Sequence, residues 1–283
     1  MKGKDTMFQL ITDSTSDLTK EEWTRDGVEV VPLNVEFAGK HFQDRLTLTP
    51  DDFYGLLAES EELPKTSQPA PGQFLEAYER YPDQEIVVLP MSRELSGTYQ
   101  SALLAKQMSG RDDIYVVDTL QTAQGLRFLV DEAIRLRDEG KTAQEAARAI
   151  EDLKEHIQLI AVVDTLEYLY KGGRLSKSVM MAGNFLHIHP IIGLEDGKIV
   201  MFSKARGKKS ILREVEKLID AHDIDPERAY FGYSGAKGSV DLVSFRDPLA
   251  NKYGFATHMT SQIGSLIGTH TGPGLRLIVY RFR

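Results

Sequence analysis

The sequence predicts an α/β protein of two domains. Residues 1–158 read as a three-layer α/β/α unit with a mostly parallel sheet, and residues 159–283 as an α/β unit with a mixed sheet. Two patterns carry this expectation. In the first half, short apolar runs alternate with turn residues and helical stretches, the repetition of a parallel sheet covered on both faces. Beyond about residue 158 the pattern changes. There Glu195-Asp196-Gly197 separates two apolar runs, the signature of a hairpin and hence of antiparallel pairing. No Pro/Gly/Ser-rich linker marks the boundary, so the two units are expected to meet at a cleft, a favoured place for ligands.

Residues 8–12 form the first strand, and Thr19 with Glu22 makes a capping box for the helix that follows. Strands at 28–31 and 35–37 come next, with Gly39-Lys40 turning the chain before Phe42. Pro50 opens a helix over 51–58, since its missing N–H costs nothing in the first turn. Residues 85–89, Glu-Ile-Val-Val-Leu, read as a buried strand running into the Leu95-Ser96-Gly97-Thr98 turn and a helix through 108. A strand at 114–117 ends at Asp118-Thr119, and helices over 124–139 and 142–156 complete the first half. The second half has strands at 160–163, 191–194, 198–202, 229–233 and 275–280, with helices over 208–221 and 240–253.

Composition excludes several classes. The 283 residues suffice for a sizeable core, and 41% hydrophobic with 27% charged residues is the balance of a soluble globular chain. A net charge of −8 argues against a nucleic-acid partner. The absence of cysteine removes disulfides, thiolate metal sites and cysteine nucleophiles, and fits a reducing compartment. Met1-Lys2-Gly3-Lys4-Asp5 leads into a strand with no apolar signal region, and no run reaches the roughly 18 apolar residues of a membrane span. The expected location is cytoplasmic.

Three polar strings stand out. Thr66-Ser67-Gln68-Pro69-Ala70-Pro71-Gly72 and Leu95-Ser96-Gly97-Thr98-Tyr99-Gln100 place hydroxyls beside a glycine near expected helix starts; Ile267-Gly268-Thr269-His270-Thr271-Gly272-Pro273-Gly274 puts a histidine on a tight turn. A helix start beyond the carboxyl end of a parallel strand offers free N–H groups to a carboxylate or phosphate. Ser96 and Thr98 would add hydroxyls, and Gly97 would let a ligand approach the backbone. An ordinary N-cap uses the same residues. Asp13-Ser14-Thr15-Ser16-Asp17 lies on the same rim, but its carboxylates suit orienting hydroxyls rather than touching an anion. Arg174, after Lys171-Gly172-Gly173, is the cation available to an anionic head; a glycine C-cap explains that string equally well. His187 and His189 share a strand face without a third ligand, so no metal site is expected. No P-loop, dinucleotide fingerprint or Gly-x-Ser-x-Gly elbow is present, so no cofactor is expected.

Taken together with Lys171-Gly172-Gly173-Arg174 and Arg206-Gly207-Lys208-Lys209, these strings occur in an order and spacing that resembles the DegV family, the fatty-acid-binding carrier subunits of bacterial fatty acid kinase. The resemblance runs end to end. It implies a two-domain α/β fold holding a long-chain fatty acid, its carboxylate between the domains and its acyl tail in an apolar tunnel of the C-terminal domain. Thr66 and Ser96 match the positions that bind the carboxylate, with Ser67, Gly97 and Thr98 beside them; Arg174 and His270 match positions that line that end of the site. A separate ATP-binding kinase subunit would phosphorylate the carboxylate for phospholipid synthesis, so this chain would be a carrier with no catalytic residue and no nucleotide site of its own. Met180, Met181, Phe185, Leu186 and Ile188 are candidate tunnel residues. The basic run Arg206, Lys208 and Lys209 is a candidate contact for the kinase subunit or for transient touch of an anionic membrane surface. Two departures stand out: His187 and His189 replace Asn and Lys, and Arg93 replaces a serine near the expected mouth. Two other readings stay open. One is a serine hydrolase or transferase using Ser96, His270 and Asp118; the other is a binder of another anionic small molecule.

Overall fold

A computed structural model describes residues 7–183 and 188–283. In chain order the strands are β1 Gln9–Asp13, β2 Val28–Val31, β3 Asn34–Phe37, β4 Lys40–Gln43, β5 Lys65–Ser67, β6 Ile86–Leu89, β7 Ile114–Val116, β8 Ile157–Val162, β9 His189–Glu195, β10 Lys198–Ala205, β11 Ile224–Tyr233, β12 Thr257–Gln262 and β13 Arg276–Phe282. The helices are α1 Lys20–Arg25, α2 Pro50–Glu59, α3 Pro71–Glu79, α4 Thr98–Ser109, α5 Ala123–Asp138, α6 Ala143–Leu153, α7 Glu167–Lys171, α8 Lys177–Gly183, α9 Lys208–Ile219, α10 Gly235–Tyr253 and α11 Ser265–Thr271.

Side-chain alternation along the strands builds the layers. The first sheet, ordered β2-β1-β6-β7, is parallel throughout. On β6, Ile86 and Val88 face α3 and α4, where they pack with Phe74, Tyr78 and Ala102. Val87 and Leu89 point the other way, toward Leu126, Leu129 and Ile150 of α5 and α6. The second sheet, ordered β10-β9-β8-β13-β11-β12, is antiparallel except for the β11–β12 pair. Here Leu159, Ala161, Leu277 and Val279 join the core around α5. Ile160, Val162, Ile278 and Tyr280 face α9 and α10. The period of two thus sorts each strand between two cores.

Helix α5 consequently lies between the sheets. Its first two turns, 123–130, are buried on every side, the pattern of a helix enclosed by its neighbours. Its buried Arg127 is matched by both oxygens of Glu22, each at 3.0 Å, and by Asp131 at 2.8 Å. Both sheets therefore share one hydrophobic core through α5. The first half has the expected three layers, with its inner helical layer in common with the second sheet.

A further antiparallel sheet, β4-β3-β5, joins the first half. The sequence reading missed β5, α8, β12 and α11, and of α3 it anticipated only the start. Strand β5 is three residues long with Lys65 and Ser67 exposed, too short to alternate visibly. The α11 segment, Ser-Leu-Ile-Gly-Thr-His-Thr, is poor in helix formers. It is helical because its start is held from outside: the Asp44 carboxylate accepts from the Ser265 N–H at 3.0 Å and from the Ser265 hydroxyl at 2.5 Å. Thus His270 lies on a helix rather than a tight turn; Thr66 lies on β5, and the helix start expected in its string is that of α3, at Pro71.

Candidate functional site

Strand order reverses between β1 and β6, which places a crevice beyond their carboxyl ends. A cavity of about 330 Å³ lies there, within the roughly 300–1,000 Å³ of small-molecule sites. The first half contributes Leu33, Thr66, Ser67, Gln68, Met91 and the Leu95-Ser96-Gly97 turn; α7 and α11 contribute Leu169, Leu266, Ile267 and His270, and Arg174 and Ile199 complete the opposite wall. The cavity is mostly apolar, with the hydroxyls of Thr66, Ser67, Ser96, Thr122 and Thr271 and the Arg174 cation set into it.

Register aims Thr66. It pairs directly with Val35 on β3, a residue wholly inside the core. Opposed residues in a ladder share a face, so the Thr66 side chain turns inward too. Its Oγ1 lies 2.8 Å from Nε2 of His270. Burial, reinforced by the nearby Arg174 charge, lowers the His270 pKa to about 4. The ring is therefore neutral near pH 7 and carries one N–H. Its Nδ1 is buried with no hydrogen-bond partner among the described residues.

Ser96 has a similar backing group. Its hydroxyl lies 2.9 Å from the Thr98 hydroxyl. Thr98 itself is fully buried and does not line the cavity; it stands behind Ser96 rather than at the ligand. Gly97 is the N-cap of α4 and supplies no side-chain cap, which leaves first-turn N–H groups unsatisfied by the helix. A Cβ at Gly97 would stand 1.9 Å from Oε1 of Gln68. Gln68 therefore lies across this turn, and its Nε2 donates to the Ser101 hydroxyl at 2.9 Å.

Arg174 reaches over from the second half. Its Nε donates to the Leu95 carbonyl at 3.1 Å and its Nη1 to the Gly172 carbonyl at 2.6 Å. Burial alone lowers its pKa, and no carboxylate pairs with it among the described residues. A half-buried cation without a counter-charge among the described residues, beside two backed hydroxyls, is an arrangement chemically suited to an anion.

The Asp13–Asp17 run behaves differently. Asp13 Oδ1 accepts from the Thr15 N–H and hydroxyl at 2.9 and 2.6 Å, and Oδ2 accepts from the Met91 N–H at 2.7 Å. Asp17 takes Arg45 at 2.7 Å, the Gly264 N–H at 2.9 Å and Gln124 at 3.1 Å. These carboxylates hold wall loops in place from behind and do not line the cavity.

The hydrolase arrangement is not assembled. Ser96 bonds Thr98 and His270 bonds Thr66, while Asp118 accepts from the Arg93 N–H at 3.2 Å and the Leu120 N–H at 3.4 Å. Arg93 is exposed, pairs with Asp118 and Glu94, and does not line the cavity. The expected tunnel residues are also displaced. Met181 is exposed, Met180 and Ile188 are half-buried, and none of the three lines the cavity; Phe185, Leu186 and His187 lie outside the described residues. The apolar wall draws instead on both halves, through Leu33, Met91 and Leu95 as well as Leu169, Ile199 and Leu266. No motif marks these residues, because each is an ordinary aliphatic side chain. His189 pairs with Asp164 at 3.2 Å, and no cluster of metal-ligating side chains occurs among the described residues.

A family model described as an uncharacterised protein of the DegV family matches residues 7–282. The chain belongs to the DegV family. It is 32% identical over 266 residues to a DegV domain-containing protein of Caldanaerobacter subterraneus subsp. tengcongensis, covering 93% of this chain and 95% of that one. Among solved structures it resembles a fatty-acid-binding DegV family protein from Thermus thermophilus, with a TM-score of 0.87 and 33% identity over 98% of this chain and 100% of the other. A stearic acid-binding protein from Eubacterium ventriosum also matches at a TM-score of 0.87, with 26% identity over 97% and 98% of the two chains. No helix among the described residues is long and apolar enough to cross a membrane.

Proposed function

We propose that this DegV protein carries a long-chain fatty acid, with the carboxylate held by Thr66 and Ser96 and the tail against the apolar wall. The observation that carries this reading is the division of the cavity: two backed hydroxyls and an unmatched arginine beside a wall of Leu33, Met91, Leu95, Leu169, Ile199 and Leu266. With its N–H on Nε2, neutral His270 donates to Thr66 Oγ1, so the Thr66 hydroxyl hydrogen is free for the ligand. Thr98 does the same for Ser96. Gly97, with the open first turn of α4, and Ser67 border the carboxylate, and Arg174 supplies charge. Each buried CH₂ contributes about 0.8 kcal/mol, against roughly 1.5–3 kcal/mol for a charge-assisted hydrogen bond. A long tail therefore sets affinity and the hydroxyls set orientation.

The loaded carboxylate is presented to an ATP-binding kinase subunit, which forms the acyl phosphate. Support comes from the family motifs and from the absence of any nucleotide-binding motif in this chain. On the basic run, Lys208 pairs with Asp241 at 2.8 Å, while Arg206 and Lys209 remain exposed; these two are the proposed contact for an acidic face of the kinase subunit. Neutralising both should weaken kinase coupling, whereas slowed exchange with anionic vesicles alone would assign them to membrane contact. A serine-reactive fluorophosphonate should leave Ser96 unlabelled; stoichiometric labelling would favour the hydrolase reading. Extraction of lipid from the purified protein tests the carrier directly, since one fatty acid per chain is expected and a bound phosphate ester would favour another anionic ligand.

A further inference from the structure

Gly172 touches both basic side chains at the cavity mouth without contributing a side chain of its own. Its φ of −76° is open to any L-residue, so the backbone does not demand glycine there. Space does. A Cβ at this position would stand 2.2 Å from Nδ1 and 2.9 Å from Cε1 of His270, far inside the roughly 3.5–4.0 Å of an ordinary contact. The other close atom is the Tyr168 carbonyl oxygen at 3.1 Å, which already accepts the Gly172 N–H at 2.8 Å. The Gly172 carbonyl in turn accepts from Arg174 Nη1.

We infer that Gly172 is a positioning residue for the carboxylate grip: its bare Cα leaves the room that holds the His270 ring on Thr66. The inference rests on the fatty-acid reading above. His270 cannot retreat by sliding its helix, because α11 is anchored at its start by Asp44, and the preceding Gly264 N–H by Asp17. A methyl group at 172 must therefore rotate the ring, and rotation takes Nε2 off Thr66 Oγ1. Nδ1, which faces Gly172, has no hydrogen bond among the described residues to oppose that rotation. The Thr66 hydroxyl then loses the donor that frees its hydrogen for the ligand. Ring displacement also relieves the burial that keeps His270 neutral.

The test is a cycle of Gly172→Ala, His270→Ala and the double variant, with palmitate titrated into each by calorimetry. Gly172→Ala alone should weaken binding about tenfold, the loss of one charge-assisted hydrogen bond. Added to His270→Ala it should change affinity less than about twofold, a non-additivity that marks action through the ring. NMR titration of the His270 imidazole in the ligand-free protein supplies a second readout. In the unmodified protein the ring should stay neutral down to about pH 4. In Gly172→Ala its pKa should move up toward the ordinary value near 6.5. An equal penalty in both backgrounds, or weakened binding with an unmoved His270 titration, would overturn the inference. If the unmodified protein ignores palmitate, the fatty-acid reading falls, and the ring titration still decides the role of Gly172. The double variant lacks the contact and should fold as His270→Ala does; its failure to fold would place the cost at Tyr168 instead.

Discussion

Two hydroxyl-rich clusters sit on the same rim of this molecule and do opposite work. The run from Asp13 to Asp17 is closed: every residue in it is at most 1% exposed, and both carboxylates are occupied by protein donors. The cluster of Thr66, Ser96, Arg174 and His270 is half open. It keeps an arginine without a counter-charge among the described residues, and hydroxyls that line a cavity. In sequence the two look alike. Spare hydrogen-bonding capacity facing a void, rather than polarity, separates a binding site from a structural knot.

The comparison breaks most sharply at Asp17. Asp17→Ala would take the paired carboxylate from the buried Arg45 guanidinium, leaving it the Gln262 carbonyl and the nearby Asp44 charge, and removing one partner of a buried pair costs about 3–5 kcal/mol. Urea unfolding should show that loss, and an unchanged midpoint would mean the knot is not structural. Acid comes next. The His270 pKa is lowered on folding, so its contribution to stability is present above pH 6.5 and disappears as pH falls through about 4, a change of about 3 kcal/mol. Asp13 has the opposite sign. Burial raises its pKa to about 6, so its contribution is present below pH 3.8 and is lost as pH rises through 6. The two oppose each other in one window. His270→Gln should remove only the first, so its stability relative to the unmodified protein should improve steadily from pH 6.5 to 4; parallel curves would contradict the buried neutral ring.

Smaller effects sharpen the open cluster. Ser96→Ala and Thr66→Val should change unfolding free energy by less than about 1 kcal/mol while weakening fatty acid binding by roughly 1–3 kcal/mol each. A large fall in stability with intact binding would reverse the roles assigned to the two clusters. Smallest is Thr98→Val, which keeps the buried shape and removes the hydroxyl behind Ser96. About 0.5–1.5 kcal/mol of affinity should go, and equilibrium binding of palmitate would read it.

The layers were legible in the sequence because apolar runs between turn residues write them there: 86–89 and 160–163 are continuous apolar runs, as strands buried on both faces must be. The shared core was not legible, since nothing in 124–139 says that both faces of that helix meet sheets. Thr66, Ser96, Arg174 and His270 stood out by residue type and order, and the fold brings all four to one cavity. How Thr66 and His270 meet was hidden. It depends on the three-residue strand β5 and on α11, a helix that forms because Asp44 and Asp17, more than 200 positions away in the chain, hold its start. Likewise Met91 and Ile199 line the wall only because the segment after β6 and the start of β10 converge, and local sequence carries no trace of that.

The most direct test of the central claim is native mass spectrometry of the purified chain, before and after incubation with palmitate, beside the Thr66→Val, Ser96→Ala double variant. The account predicts one fatty acid per chain in the unmodified protein and an empty but folded variant. An unmodified chain that carries no fatty acid and takes none up, or a variant that binds equally well, would contradict it.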